Sequence, residues 1–165
     1  MNVKNDKSEN TALQNLVREH LEAYLDACDL RHTRERFAIL RVIYDTEGIF
    51  SIEDLAEAMQ RTKFHVSRAT LYNTTQLLVE ANLLIRHPFS SGATQFERIT
   101  DTRPRSYQIC GHCHRITLIK GRELQADIEK YRPRSFRITH RILYVYGLCG
   151  RCARAMKKGE KGLRV

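Results

Sequence analysis

Four cysteines carry the clearest chemical signal in this chain. They stand in two pairs, Cys110-Gly-His-Cys113 and Cys149-Gly-Arg-Cys152. Two-residue spacing lets both sulfurs of a pair reach one ion. The glycine after each leading cysteine lets the turn tighten until backbone N–H groups approach the sulfurs. Two such knuckles supply four thiolates, which suits a tetrahedral structural zinc with no position left open for water. Cys-x-x-Cys also serves thiol–disulfide exchange, but two pairs closing one small domain favour the metal. The gap between the pairs exceeds the roughly 15–20 residues of many zinc ribbons, so the intervening chain must itself fold, with the metal pinning its ends. Cys28 stands alone. An odd thiol fits a disulfide framework poorly, and its place on an apolar stripe reads as a small core residue. His112 and His114 flank the first knuckle and read as surface histidines.

The second chemical signal is the run Ser67-Arg68-Ala69-Thr70-Leu71-Tyr72-Asn73-Thr74. It opens a helix with hydroxyl and amide groups that can hydrogen-bond to phosphates and base edges in a major groove. Lys63, His65 and Arg68 precede or begin that helix, where cations and a helix N-terminus both favour phosphate. The same residues would also make an ordinary polar helix face with Tyr72 partly in the core.

Both signals need elements to hold them. From Thr11 to Cys28, Leu13, Leu16, Val17, Leu21, Tyr24, Leu25 and Cys28 recur at spacings of three and four, one stripe of an amphipathic helix. A second helix is expected from about Thr33 to Asp45, with Phe37, Leu40, Val42 and Ile43 inward. Ser51-x-x-Asp54 reads as an N-cap with an acidic residue in the first turn, opening a short helix to about Gln60. The fourth helix spans about Ser67 to Ala81. Strand-like runs Leu84–Phe89 and Thr94–Ile99 follow, joined through Ser90-Ser91-Gly92. Three helices and then a hairpin is the order of a winged helix-turn-helix, here with an extra helix in front. Residues 100–105 read as a polar linker. Ser106–Ile109 and Ile116–Lys120 read as strands, Arg122–Tyr131 as a helix, and Phe136–Leu148 as one long strand reaching the second knuckle. The basic, unpatterned end reads as a frayed tail.

Charge points to a polyanion without locating its site. The formal net charge is +9. Residues 1–100 hold 12 Lys/Arg and 14 Asp/Glu, a balance of −2, whereas residues 101–165 hold 16 and 5, a balance of +11. Four thiolates on one zinc would lower that second figure by two. No apolar run approaches the roughly 18 residues of a membrane span, and the N-terminus lacks the apolar stretch of a secretory signal. A cytoplasmic protein is expected.

Leu30-Arg31-His32-Thr33-Arg34-Glu35-Arg36, Ser51-Ile52-Glu53-Asp54-Leu55, Ala69-Thr70-Leu71-Tyr72, Phe96-Glu97, Cys110-x-x-Cys113 and Leu143-Tyr144-Val145-Tyr146-Gly147 before Cys149 follow one another along the chain. In these stretches, from about residue 12 to 152, the sequence resembles the ferric uptake regulator (Fur) family. The resemblance implies a homodimeric repressor, each protomer pairing a winged helix with an α/β dimerisation domain. It implies that Arg31 enters the minor groove and that Tyr72 touches thymine or the backbone. Asn73 stands where the family usually has arginine. It also implies a regulatory metal site, but the matching positions have changed. The histidine-rich run before the first knuckle is Arg103-Pro104-Arg105-Ser106-Tyr107, and Ile49, Gln125 and Arg141 stand where ligands would. Glu97 alone remains. Arginine cannot ligate a cation and repels one.

The reading is therefore an α+β protein. A winged-helix DNA-binding domain with the extra helix spans 1–99, a linker 100–105, a dimerisation domain with a four-cysteine zinc site 106–153, and a basic tail 154–165. The expected function is sequence-specific repression on double-stranded DNA by a homodimer. Arg31, Arg68, Thr70, Tyr72 and Asn73 face DNA, while Cys110, Cys113, Cys149 and Cys152 hold zinc. Iron sensing is altered or lost, which leaves metal-independent action or another effector such as haem. An RNA-binding zinc protein is the competing class, although Tyr107, Tyr144 and Tyr146 do not form the interleaved aromatic and basic sheet face that single-stranded RNA favours. An enzyme is not expected, because four thiolates leave zinc no open position and no nucleophile–base constellation is legible.

Overall fold

The computed structural model describes residues 3–88, 93–100 and 103–157. The chain divides into two compact units, Met1–Thr100 and Asp101–Val165.

The first unit begins with helix α1 (Val3–Ala27), followed by α2 (Arg34–Asp45), strand β1 (Ile49–Ser51), α3 (Ile52–Gln60), α4 (Arg68–Glu80), β2 (Leu84–His87) and β3 (Gln95–Arg98). The helices start where the sequence supplies caps. Thr33, Ser51 and Ser67 each accept a backbone N–H of the first turn through a side-chain oxygen. At Ser51 the cap is reciprocal, with Asp54 N–H donating to Ser51 Oγ at 3.1 Å and Ser51 N–H donating to Asp54 Oδ2 at 2.8 Å. The Ser51 N–H, helped by its hydroxyl, holds the Asp54 carboxyl below its ordinary range. The box therefore stabilises the fold at neutral pH, and that contribution fades as acid protonates the carboxylate. Ser51→Ala should cost about 0.5–2 kcal/mol of the first unit's stability in denaturant unfolding.

Two helices end in left-handed turns. Asp29 (φ 54°) and Asn82 (φ 54°) follow α1 and α4. The next N–H of each reaches back, Leu30 to the Leu25 carbonyl at 2.8 Å and Leu83 to the Leu78 carbonyl at 2.9 Å. The second of these turns aims the chain from α4 directly into β2. Leu21, Leu25, Ile39, Ile43, Leu55, Leu71, Leu78 and Phe96 form one apolar cluster under the helices. Tyr44 is fully buried within it, its hydroxyl 3.0 Å from the Leu83 carbonyl and 2.9 Å from that of Ile99. That one phenol ties α2 to the end of the sheet where β2 begins and β3 finishes. The sheet order is β1-β3-β2, all antiparallel, with Ile49 opposite Glu97 and Ile85 opposite Glu97 on the other side.

Several expectations change here. The extra helix starts at Val3 rather than near Thr11. Leu16 is 63% exposed and Cys28 is exposed rather than in the core. Cys28 lies one residue past the end of α1, where the left-handed turn carries the chain off the stripe. β1 was not anticipated, because three residues are too few to show an alternation. The hairpin residues 90–92 lie outside the described residues.

The second unit holds β4 (Arg105–Cys110), β5 (Ile116–Leu118), α5 (Arg122–Lys130), β6 (Ile142–Gly147) and α6 (Gly150–Lys157). Sheet order is β5-β4-β6, with β4 antiparallel to β5 and parallel to β6. β4 begins at Arg105, inside the stretch read as linker; residues 101 and 102 of that stretch lie outside the described residues. The long strand expected from Phe136 reduces to β6. The ladder opens with Arg105 opposite Ile142. Pro104, just before it, has no N–H to extend the pairing. The expected tail begins as α6, a helix carrying Cys152; residues from 158 onward lie outside the described residues. Few residues are buried here beyond Ser106, Tyr107, Ile109, Cys110 and Cys152, and α5 buries none.

Candidate metal centre and nucleic-acid interface

The metal centre grows from the parallel pairing of β4 and β6. Cys110 ends β4 opposite Gly147, the last residue of β6, and the Gly111 N–H donates to the Gly147 carbonyl at 2.8 Å. Both strands therefore deliver their knuckles to the same end of the sheet. Cys113 lies in the turn after β4, which closes when the His114 N–H donates to the Cys110 carbonyl at 2.9 Å. Cys149 precedes α6 and Cys152 sits in its first turn. The four Sγ atoms all lie within 4.8 Å of one another, and Cys113 and Cys149 are 3.7 Å apart. Sulfurs about 2.3 Å from a tetrahedral zinc are about 3.8 Å from each other. The donor set and its dimensions fit one such ion.

The site is electrostatically uneven. Backbone N–H groups of Cys113, then Cys149 and His112, point at Cys110 Sγ and hold that thiol down at about 5. The Cys149 N–H lies 3.3 Å from that sulfur. The Cys149 thiol is also lowered, first by the Cys152 N–H. Burial, followed by the neighbouring thiols, pushes Cys152 up to about 12. A dication would reverse that last effect, since coordination to a metal deprotonates a thiol outright. His112, expected to be an ordinary surface histidine, has Nδ1 3.4 Å from Cys152 Sγ.

The nucleic-acid candidate is the outer face of α4. At about 100° per residue, Arg68, Ala69, Tyr72, Asn73 and Gln76 fall within an arc of roughly 140°. All five are exposed, whereas Leu71, Thr75, Leu77 and Leu78 point into the core. Tyr72 is 51% exposed and so is not the partial core residue it could have been. Thr70 is half-buried, its hydroxyl 2.9 Å from that of Ser67 and its N–H bonded to the same oxygen. It serves the cap more directly than the outer face. Arg31 is exposed in the turn between α1 and α2, where its carbonyl accepts from the Arg36 guanidinium. Beside it, His32 Nε2 lies 2.7 Å from Asp26 Oδ1, bracing the same turn.

The sequence reading missed one buried pair. His87 Nε2 and Glu97 Oε2 are 3.2 Å apart on β2 and β3, with side chains 0% and 3% exposed. The alternation of Ile85, Arg86 and His87 was the available signal, since it puts His87 on the face of Ile85. The Glu97 carboxylate is thus inside the first unit's sheet. Of the other positions where the family resemblance expects ligands, Ile49 offers only an alkyl group opposite Glu97. Gln125 Nε2 donates to the Ile119 carbonyl at 3.4 Å. Arg141 donates to the Tyr131 carbonyl. Among the described residues, the four cysteines are the only cluster of three or more metal-binding side chains, and no helix is long and apolar enough to cross a membrane.

The sequence pattern of the ferric uptake regulator family matches residues 27–146. The ferric uptake regulation protein of Campylobacter jejuni is 26% identical over 139 residues, covering 81% of this chain and 87% of its own. The peroxide operon regulator of Bacillus subtilis is 24% identical over 144 residues, covering 84% and 94%. Among solved structures, the ferric uptake regulator of Pseudomonas aeruginosa with manganese superposes with a TM-score of 0.62 at 24% identity, covering 78% of this chain and 97% of that one. The Helicobacter pylori regulator superposes at 0.63 with 17% identity, covering 85% and 93%.

Proposed function

This chain belongs to the ferric uptake regulator family, and from that premise we propose a homodimeric, cytoplasmic transcriptional repressor whose zinc is structural and whose ordinary iron sensing is lost. Arg31, Arg68, Tyr72 and Asn73 are its DNA-facing residues, with Thr70 held at the cap of the helix that presents them, and Cys110, Cys113, Cys149 and Cys152 hold the zinc. The winged-helix domain comprises residues 1–99, and the dimerisation domain follows a short linker, its first strand β4 starting at Arg105.

The exposed outer arc of α4 carries this reading. A helix that buries Leu71, Leu77 and Leu78 while turning an arginine, a tyrosine and two amides outward is organised for a polar, grooved partner. Dimerisation is supported by the second unit's uncovered apolar side chains. Leu118, Leu124, Val145 and Tyr146 are 37–56% exposed on β5, α5 and β6. A second copy of the same unit would cover them symmetrically.

Loss of iron sensing follows from what stands where ligands would. A regulatory dication needs several imidazoles or carboxylates converging on one point. Glu97 is buried with His87, and Ile49, Arg105, Gln125 and Arg141 supply no metal-binding group. Operator affinity of zinc-loaded protein should therefore not change across an anaerobic titration of Fe²⁺ or Mn²⁺, the operator being a duplex selected from a random pool. A gain of about tenfold or more, roughly 1.4 kcal/mol of coupling, abolished by Glu97→Gln, would show that sensing survives.

A further inference from the structure

The two knuckles are cross-linked in both directions. From the second to the first, the Cys149 backbone N–H reaches Cys110 Sγ at 3.3 Å. From the first to the second, His112 Nδ1 stands 3.4 Å from Cys152 Sγ, across 40 residues of sequence. We propose that His112 is a positioning residue of the metal centre, donating its Nδ1–H to the Cys152 thiolate; this rests on the zinc reading above.

The chemistry sets the direction of that bond. A thiolate on a metal has no proton to give, so its sulfur can only accept, and the imidazole nitrogen facing it must carry hydrogen. Cys152 is also where such a donor matters. It is 4% exposed, so water cannot solvate its charge, and a buried charge without hydrogen bonds is strongly disfavoured. The imidazole is itself exposed, which leaves its other nitrogen free to meet solvent. Groups behind the ligands that hydrogen-bond to them fix their orientation and tune metal affinity. His112 does so with one side chain and at the same time ties β4's turn to α6. His114, two residues on, has φ +56° and serves the turn instead. The competing arrangement makes His112 a ligand that replaces a cysteine.

The experiment uses the full chain purified with zinc, after elemental analysis. Zinc affinity is measured by competition with a chromogenic chelator for the native protein, His112→Ala, His112→Asn and His114→Asn. Asparagine suits both positions, because its amide nitrogen can stand close to where Nδ1 stands and it tolerates a left-handed backbone. His112→Ala should bind zinc about 10- to 100-fold more weakly. His112→Asn should recover most of that loss, and His114→Asn should match the native protein. Cobalt-substituted samples of all four should show the absorption of a four-sulfur site. Unchanged affinity in His112→Ala would overturn the proposal, as would His112→Asn binding as weakly as alanine. A native cobalt spectrum of three sulfurs and one nitrogen that alters in His112→Ala would make His112 a ligand. Native protein without zinc would overturn the zinc reading itself, a distinguishable failure.

Discussion

Cys110→Ser should yield a protein without zinc in which the second unit is unfolded and the winged-helix unit is intact. The two units differ in what holds them together. The first has a continuous apolar cluster running from Val17 to Phe96, sealed by the buried Tyr44. The second has a three-stranded sheet, one helix with nothing buried and a short C-terminal helix. Its most buried side chains include two of the cysteines themselves. A unit with so little apolar burial falls short of offsetting its conformational entropy and needs a metal or a partner. Structural zinc contributes about 10–16 kcal/mol of apparent binding free energy near neutral pH, and that energy is coupled to folding. Serine at Cys110 removes the sulfur on which the backbone N–H groups converge, so the variant loses both a ligand and the best-prepared thiolate. Elemental analysis reads the zinc, and hydrogen exchange reads the units separately. Zinc content and stability unchanged from the native chain would rule the assignment out.

How far the fold could be read from residues depended on how local each cause was. Caps are local, and Thr33, Ser51 and Ser67 located three helix starts to within a residue. The knuckles are local too, and the four sulfurs meet as their spacing implied. Long-range causes were harder to see. The length of β6 is set by its neighbour β4 and by Pro104, not by its own β-branched run, which continues back to Ile138. Cys28 keeps the helical period, yet the turn at Asp29 leaves it in solvent. The partnership of His87 with Glu97 requires the β2–β3 register. That register puts His87 opposite Gln95 and Ile85 opposite Glu97, which sets the His87 and Glu97 side chains diagonally across the pair. The hydrogen bond from His112 needs the parallel pairing of β4 and β6, which no spacing within either knuckle encodes.

An Arg31→Ala, Tyr72→Ala double variant should fold normally and lose operator affinity by on the order of a hundredfold or more, at about 1.4 kcal/mol per tenfold. Normal folding is expected because both side chains are exposed, and surface substitutions usually shift stability within about 0.5 kcal/mol. The two losses should differ in kind. Arg31 is a fixed charge on a turn braced by the His32–Asp26 pair, suited to the phosphate-rich walls of a groove. Removing it should weaken binding to every sequence and reduce the salt slope by about one for each phosphate it no longer neutralises. Tyr72 lies on the outer arc of α4, one turn after Arg68. A hydroxyl on a rigid ring can reach a base edge, and its loss should cost about 1–3 kcal/mol of discrimination between operator and scrambled duplex. Because a homodimer presents each side chain to both half-sites, each deletion acts twice. Titrations of the single variants on operator and scrambled DNA at several salt concentrations separate these effects. The arginine variant should shift both curves, and the tyrosine variant should bring them together. If the double variant keeps native operator affinity, the face that reads DNA is not the one formed by α4 and the turn before α2.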